Sequence, residues 1–160
     1  MKNLIVGADP WGMDLKKVVL RHLQQKGYAV TDLNDGKQSD NYYDVAVRAA
    51  GQIQAQAADG AFLFCGTGMG MSIVCNKHQG IVASVVETPW AAKMARAVNN
   101  ANVLCMGGMN VKPEAAIEAV DNFLGTNLGD GLAEYLPFLQ EATKQVAGID
   151  QANRQPIPGK

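Results

Sequence analysis

The stretch Phe62-Leu63-Phe64-Cys65-Gly66-Thr67-Gly68-Met69-Gly70-Met71-Ser72 passes in one step from an apolar run to a loop with glycine at every second position. Ala61 to Phe64 is too short and too apolar for a half-wet strand and fits one covered on both faces in a parallel sheet. Gly66, Gly68 and Gly70 then permit positive φ and let backbone N–H groups converge on a ligand held close above them. A helix beginning near Met71 would bring its unpaired N–H groups and the positive end of its dipole to the same point. The stretch reads as strand, bare turn and helix start around an anion hole, with Cys65 on its rim.

On either side the chain alternates short apolar runs with helical patterns, as a βαβ sheet requires. Strand one is expected over Leu4 to Gly7. It ends in Ala8-Asp9-Pro10-Trp11-Gly12, a loop at a strand's carboxyl end, where open α/β sheets bind ligands. Leu15, Val18 and Val19 lead into a helix to about Gln25, closed by Gly27. Tyr28 to Leu33 is strand two, and after a polar loop from Asn34 to Asn41 a helix presents Val45, Ala49, Ile53 and Ala57 on one side. The short helix behind the glycine loop ends near Gly80, and Ile81 to Val86 is strand four. Pro89 opens the next helix at a favoured first-turn position, and Val103 to Met106 is strand five. Pro113 to Leu124 and Glu134 to Val146 are the last helices. The expected fold is α/β, a doubly wound, Rossmann-like parallel sheet of five strands with helices on both faces. One domain covers residues 1–147; the polar tail 148–160, with two prolines, is a loose end or an arm laid on a partner subunit.

A chain of 160 residues with 48% hydrophobic side chains buries roughly two thirds of its unfolded surface, enough for one core. A net charge of -1 leaves no basic face to displace counterions from phosphates, which argues against nucleic acid. No long apolar span or leader is visible at Met1-Lys2-Asn3-Leu4, which argues against a membrane role. Cys65, Cys75 and Cys105 are odd in number and widely spaced, so neither a disulfide framework nor a zinc site is indicated and a reduced, cytoplasmic protein is expected. No metal or cofactor is called for. Cys75 and Cys105 lie in apolar runs and read as structural. His22 and His78 read as surface residues, and Met69, Met71, Met106 and Met109 as packing, with the lining of a remodelled pocket as the alternative. Trp11 and Trp90 fall in loops at the expected carboxyl edge, where an aromatic ring can stack on a sugar face.

Several segments together, Val6-Gly7-Ala8-Asp9, Gly27 to Asp32, Cys65 to Ser72, Asn76-Lys77, Ala92 to Arg96 and Asn99 to Val103, resemble the ribose-5-phosphate isomerase B and galactose-6-phosphate isomerase family. The resemblance runs from the first strand to about Val146. It implies an aldose-ketose interconversion through a cis-enediolate, in a site completed across the interface of a homodimer or homotetramer. Cys65 is then the base, with Gly66, Gly68 and Gly70 holding the enediolate oxygen. Asp9, Tyr42 and Asn99 contact substrate hydroxyls, and Thr67 assists ring opening. The roles suit the residue types. A thiolate near converging donors can take a proton from carbon, and losing one donor to an oxyanion typically costs about 10²- to 10³-fold in rate.

The departures from the family pattern are equally informative. Pro10 stands where most members carry histidine, and the ring-opening histidine falls on Val98. The phosphate-binding arginines fall near Met109, Leu132 and Leu136, none of which carries charge. Five changes at one pole of the site imply a substrate without a terminal phosphate in the usual place and without need of ring opening. An open-chain sugar phosphate, a keto uronate or an unphosphorylated sugar qualifies. Two other readings stand beside this one. Gly66-x-Gly68 with Glu87 about 20 residues on echoes a dinucleotide fingerprint, but Met71 occupies the third glycine position. A non-catalytic or half-site subunit fits the lost histidines and arginines, but has no use for Cys65 beside an intact loop.

Overall fold

The computed structural model describes residues 1–35 and 40–153. In chain order the elements are β1 (Asn3–Ala8), α1 (Met13–Gln25), β2 (Ala29–Asp32), α2 (Tyr42–Gln54), β3 (Gly60–Cys65), α3 (Met69–Cys75), β4 (Ala83–Val85), α4 (Pro89–Ala97), β5 (Val103–Gly107), α5 (Pro113–Leu124) and α6 (Leu136–Ala152), the last entered through a 3-10 turn at Ala133–Tyr135. All strands pair in parallel, in the order β2-β1-β3-β5-β4. The chain winds outward from β1 to β2 and then returns to place β3 on the other flank of β1. That reversal opens a crevice at the carboxyl ends of β1 and β3, the place where such sheets take ligands.

The alternation along the strands splits the core into two layers. Leu4, Val6, Ala8, Phe62, Phe64, Leu104 and Met106 face α1, α4 and α5. Ile5, Ala61, Leu63, Cys65, Val103 and Cys105 face α2 and α3. Every residue of β3 is buried, as expected for the central strand. Fully burying a phenylalanine such as Phe62 or Phe64 contributes about 1.5 to 3 kcal/mol. Phe62 also meets Phe123 of α5 edge to face at 5.7 Å, and the Arg96 guanidinium lies 5.5 Å from the Phe123 ring.

Element boundaries differ from the sequence reading in instructive places. Ala57 lies beyond α2, because the chain turns after Gln54 and Gln56 takes a positive φ of 59°. α3 starts at Met69 rather than near Met71 and ends at Cys75, so the segment up to Gly80 is turn. β4 shrinks to three residues because, as an edge strand, it has one partner, β5. α6 runs on to Ala152 through Gly148, past the expected stop near Val146. A helical glycine costs about 1 kcal/mol relative to alanine, which one residue can impose without breaking the helix. Residues 36–39 of the polar loop and 154–160 of the tail lie outside the described residues. Among the described residues no helix is long and apolar enough to cross a membrane.

Candidate active site

Three loops meet at the carboxyl edge. The loop after β3 carries the thiol, and its glycines do different jobs. Gly68 alone takes a positive φ, +79°, and caps α3. That turn swings its N–H back onto Cys65 Sγ at 3.1 Å. A Cβ on Gly68 would also lie 3.0 Å from the Met106 carbonyl carbon and 2.9 Å from Val85 Cγ2. Gly66 and Gly70 serve close approach. A Cβ on Gly66 would be 3.1 Å from Met109 Sδ and 3.7 Å from Trp11 Cβ, and one on Gly70 would be 2.9 Å from the Tyr42 ring. The turn is therefore roofed by Trp11, Met109 and Tyr42 and not bare. The N–H groups of Gly70 and Met71 belong to the first turn of α3 and have no acceptor within the helix. Cys65 is 5% exposed beneath this loop. The Thr67 hydroxyl accepts the Met69 N–H at 3.4 Å and stays exposed.

The loop after β1 holds Asp9, 7% exposed. Its N–H donates to Phe64 O at 3.0 Å, tying it to the residue before Cys65. Its Oδ1 accepts the N–H groups of Trp11 (2.9 Å) and Gly12 (3.1 Å), which folds the loop over itself. Burial pushes the Asp9 carboxyl above its ordinary 3.8, with the Gly12 and Trp11 N–H bonds opposing. Trp11 itself is 71% exposed at the rim. The loop after β5 brings Met109 over Gly66, and Asn110 donates to Glu87 Oε1 at 2.7 Å across the same edge. Trp90 stands exposed in the first turn of α4, whose N-terminus lies at this edge and is capped by the Thr88 hydroxyl accepting the Ala91 N–H at 3.2 Å.

Asp9, Trp11, Tyr42, Cys65, Thr67 and the three glycines are thus brought together, and Asn99 is not. Asn99 follows the far end of α4, at the amino edge of the sheet, where Asn102 O accepts the N–H of Ala61 at the start of β3. It lines a groove of about 610 Å³ between that edge and α6, with Val98, Gly80, Val146 and Ile149. Leu132 and Leu136 gather at the same end: the Gly129 N–H donates to Ala97 O at 2.8 Å, the Leu132 N–H to Gly129 O at 2.8 Å, and Leu136 packs on Gly129. The five departures from the family pattern therefore do not share one pole of a single chain. Pro10 and Met109 lie in loops at the carboxyl edge with Cys65; Val98, Leu132 and Leu136 lie toward the end of α4 that carries Asn99.

Sequence reading passed over Lys16, Asp32 and Asn34, which back the Asp9 loop. Lys16 Nζ binds both Asp32 oxygens at 2.8 and 2.7 Å, although Lys16 is 3% exposed. The only sequence signal was a lysine four residues past Gly12 on an otherwise apolar helix face. His22 is no free surface residue, since its Nε2 meets Asp121 Oδ1 at 2.8 Å beside Lys26. His78 Nδ1 lies 3.0 Å from Val74 O. Cys75 and Cys105 are buried, and burial holds the Cys105 thiol up. No group of three or more His, Cys, Asp or Glu residues among those described could hold a metal ion.

Cys65, under the turned Gly68 N–H, and the buried Asp9 stand at the ends of the neighbouring strands β3 and β1, at the switch point where parallel sheets take their ligands. Comparison supplies the family. The model of the Ribose/Galactose Isomerase family matches residues 4–135, and the chain belongs to that family. It is 38% identical over 153 residues to a 4-deoxy-4-sulfo-D-erythrose isomerase of Clostridium sp. (strain MSTE9), covering 94% of this chain and 96% of that one. It is 38% identical over 133 residues to a D-erythrulose-4-phosphate isomerase of Pectobacterium atrosepticum, covering 82% and 88%. Ribose-5-phosphate isomerase B of Clostridium thermocellum superposes with a TM-score of 0.85 at 29% identity, over 94% of this chain and 99% of that chain. The protein is accordingly an aldose-ketose sugar isomerase.

Proposed function

We propose that the protein interconverts an open-chain aldose and ketose of four carbons whose fourth carbon carries an anionic group, a sulfonate in preference to a phosphate. The observation that carries this reading is that Val98, Leu132 and Leu136 stand at the positions the family uses for ring opening and phosphate, and offer neither an imidazole to open a ring nor a guanidinium to grip a phosphate. The similar proteins supply the matching chemistry. In 4-deoxy-4-sulfo-erythrose carbon 4 carries sulfur in place of oxygen, and in erythrulose 4-phosphate oxygen 4 is esterified. Neither sugar can close a five-membered ring through oxygen 4, so neither needs a ring-opening group. A sulfonate carries one negative charge where a phosphoryl group carries about 1.5 to 2 at pH 7, and so asks less of an uncharged wall.

In this reading the Cys65 thiolate takes the proton from carbon 2 of the aldose, and the electron pair moves through carbon 1 to the carbonyl oxygen. The resulting enediolate oxygen is held by the N–H groups of Gly70 and Met71 at the start of α3, which are already in place and cost no reorganisation. The Gly68 N–H, expected from the resemblance to join them, is spent on Cys65 Sγ. Cys65 returns the proton to carbon 1 while the hydroxyl proton passes from oxygen 2 to oxygen 1, and the ketose is formed. Asp9 and Tyr42 hold substrate hydroxyls, and Trp11 covers the sugar face. With no ring to open, Thr67 keeps the α3 turn closed. Asn99 joins the site from a second copy of the chain, since its own Cys65 lies at the opposite edge of the sheet.

The test is kcat/KM for 4-deoxy-4-sulfo-D-erythrose, D-erythrulose 4-phosphate, D-ribose 5-phosphate and D-erythrose. The sulfonated tetrose is expected to exceed ribose 5-phosphate by about tenfold or more. Equal or better turnover of ribose 5-phosphate would contradict the assignment.

A further inference from the structure

Four polar or charged side chains are buried among the described residues: Asp9, Lys16, Asn34 and Thr126. The first three belong to one closed circuit. Asn34, 1% exposed, uses its side-chain amide as a peptide: Oδ1 accepts the Ala8 N–H at 2.9 Å and Nδ2 donates to Ala8 O at 2.8 Å. It adds one rung beyond the last backbone bond between the β1 and β2 segments, Leu33 N–H to Val6 O at 2.9 Å. On the other flank the Asp9 N–H is held by Phe64 O. The Ala8–Asp9 segment is therefore gripped from both sides immediately before the carboxylate.

Asn34 is itself set in place. Its N–H donates to Asp32 Oδ1 at 3.0 Å, and the same carboxylate takes the buried Lys16 ammonium. Lys16 rises from the first turns of α1 with its N–H on Gly12 O at 3.0 Å, and the Gly12 N–H returns to Asp9 Oδ1. The circuit Asp9, Gly12, Lys16, Asp32, Asn34, Ala8 closes on Asp9. Burying the Lys16 ammonium is costly in desolvation even against a partly exposed Asp32, and a well-packed apolar pair is often as stable, so stability alone is a weak reason for the two to be there. Geometry is a better one, because a displacement of about 1 Å at a substrate-binding group can cost on the order of 10²-fold in rate.

We propose that Asn34, locked by Lys16 and Asp32, is a positioning residue that aims the Asp9 carboxylate at the substrate. This rests on the reading above that Asp9 binds a substrate hydroxyl. The test is a double-mutant cycle on the full chain, using whichever of the four sugars named above is turned over fastest, with far-UV circular dichroism on every variant. Asn34→Ala is expected to lower kcat/KM by about 10- to 100-fold, yet to add less than about threefold once Asp9→Ala is present, since coupled residues are non-additive. Asn34→Asp, which keeps the acceptor for the Ala8 N–H and loses the donor, should fall between wild type and Asn34→Ala, and it carries the cycle if Asn34→Ala does not fold. Losses that multiply, or a folded Asn34 variant with wild-type kcat/KM, overturn the proposal. A harmless Asp9→Ala, or no turnover of any of the four sugars by the wild type, instead overturns the reading of the site on which it rests, and the proposal with it.

Discussion

At the scale of single residues the decisive contact is the Gly68 N–H on Cys65 Sγ, which exists because Gly68 alone in its loop adopts φ of +79°. Gly68→Ala is expected to strain that backbone and to collide with Met106 and Val85, costing about 1 to 3 kcal/mol of stability. Its kcat should fall further than Gly70→Ala, where the obstacle is a side-chain ring; thermal unfolding and steady-state rates on both variants check this. Asp9 gives a pH-dependent prediction. Its carboxyl is raised by burial, so the folded state holds the proton more tightly than the unfolded chain. Stability is therefore lost as pH rises from 3.8 through the raised value. Asp9→Asn keeps an acceptor for Trp11 and Gly12 and is expected to be more stable than wild type at pH 7 but less active, with the stability gain vanishing below pH 3.8. Melting temperatures from pH 3 to 8 decide it. Cys65 and its glycines were legible in the sequence because a strand-to-glycine transition leaves few other readings. Asn34 was not, because its role depends on a register between β1 and β2 that no local pattern announces.

At the scale of elements the site is assembled where helix starts meet strand ends. Thr88 caps α4 beside Pro89 and holds its first turn, with Trp90, at the rim. Thr88→Ala is expected to cost about 1 kcal/mol of stability and to change kcat/KM by less than about threefold, measurable by urea unfolding alongside the rate. The alternation of apolar runs and amphipathic helices revealed five strands and the buried side of α2 at Val45 and Ala49, since burial against a parallel sheet enforces that pattern. It misjudged ends where tertiary contacts decide them. β4 is cut short by having one neighbour, and α6 continues past Gly148 because the Asp150 carboxylate, near its end, accepts the Gly80 N–H at 3.0 Å. Phe138, Val146 and Ile149 of α6 remain exposed while Leu139 is buried, so this helix covers its own chain with only a narrow part of its apolar surface.

At the scale of the whole molecule Cys65 and Asn99 stand at opposite edges of one sheet, and the linear order of motifs hid that separation. Helix direction accounts for it, since α4 begins at the carboxyl edge and delivers Asn99 to the amino edge. If two copies share each site, mixing Cys65→Ala with Asn99→Ala subunits under exchange should restore about one quarter of wild-type activity if random pairing gives half heterodimers, each with one intact site of two. Isotope exchange shows whether Cys65 moves the proton. The protein is incubated in deuterated water with 4-deoxy-4-sulfo-D-erythrose, and deuterium entry at the carbon next to the carbonyl is followed by nuclear magnetic resonance for wild type and Cys65→Ala. Exchange is expected in the wild type, at a rate about 10²- to 10⁴-fold lower in the variant; exchange that continues undiminished without the thiol would rule Cys65 out as the base.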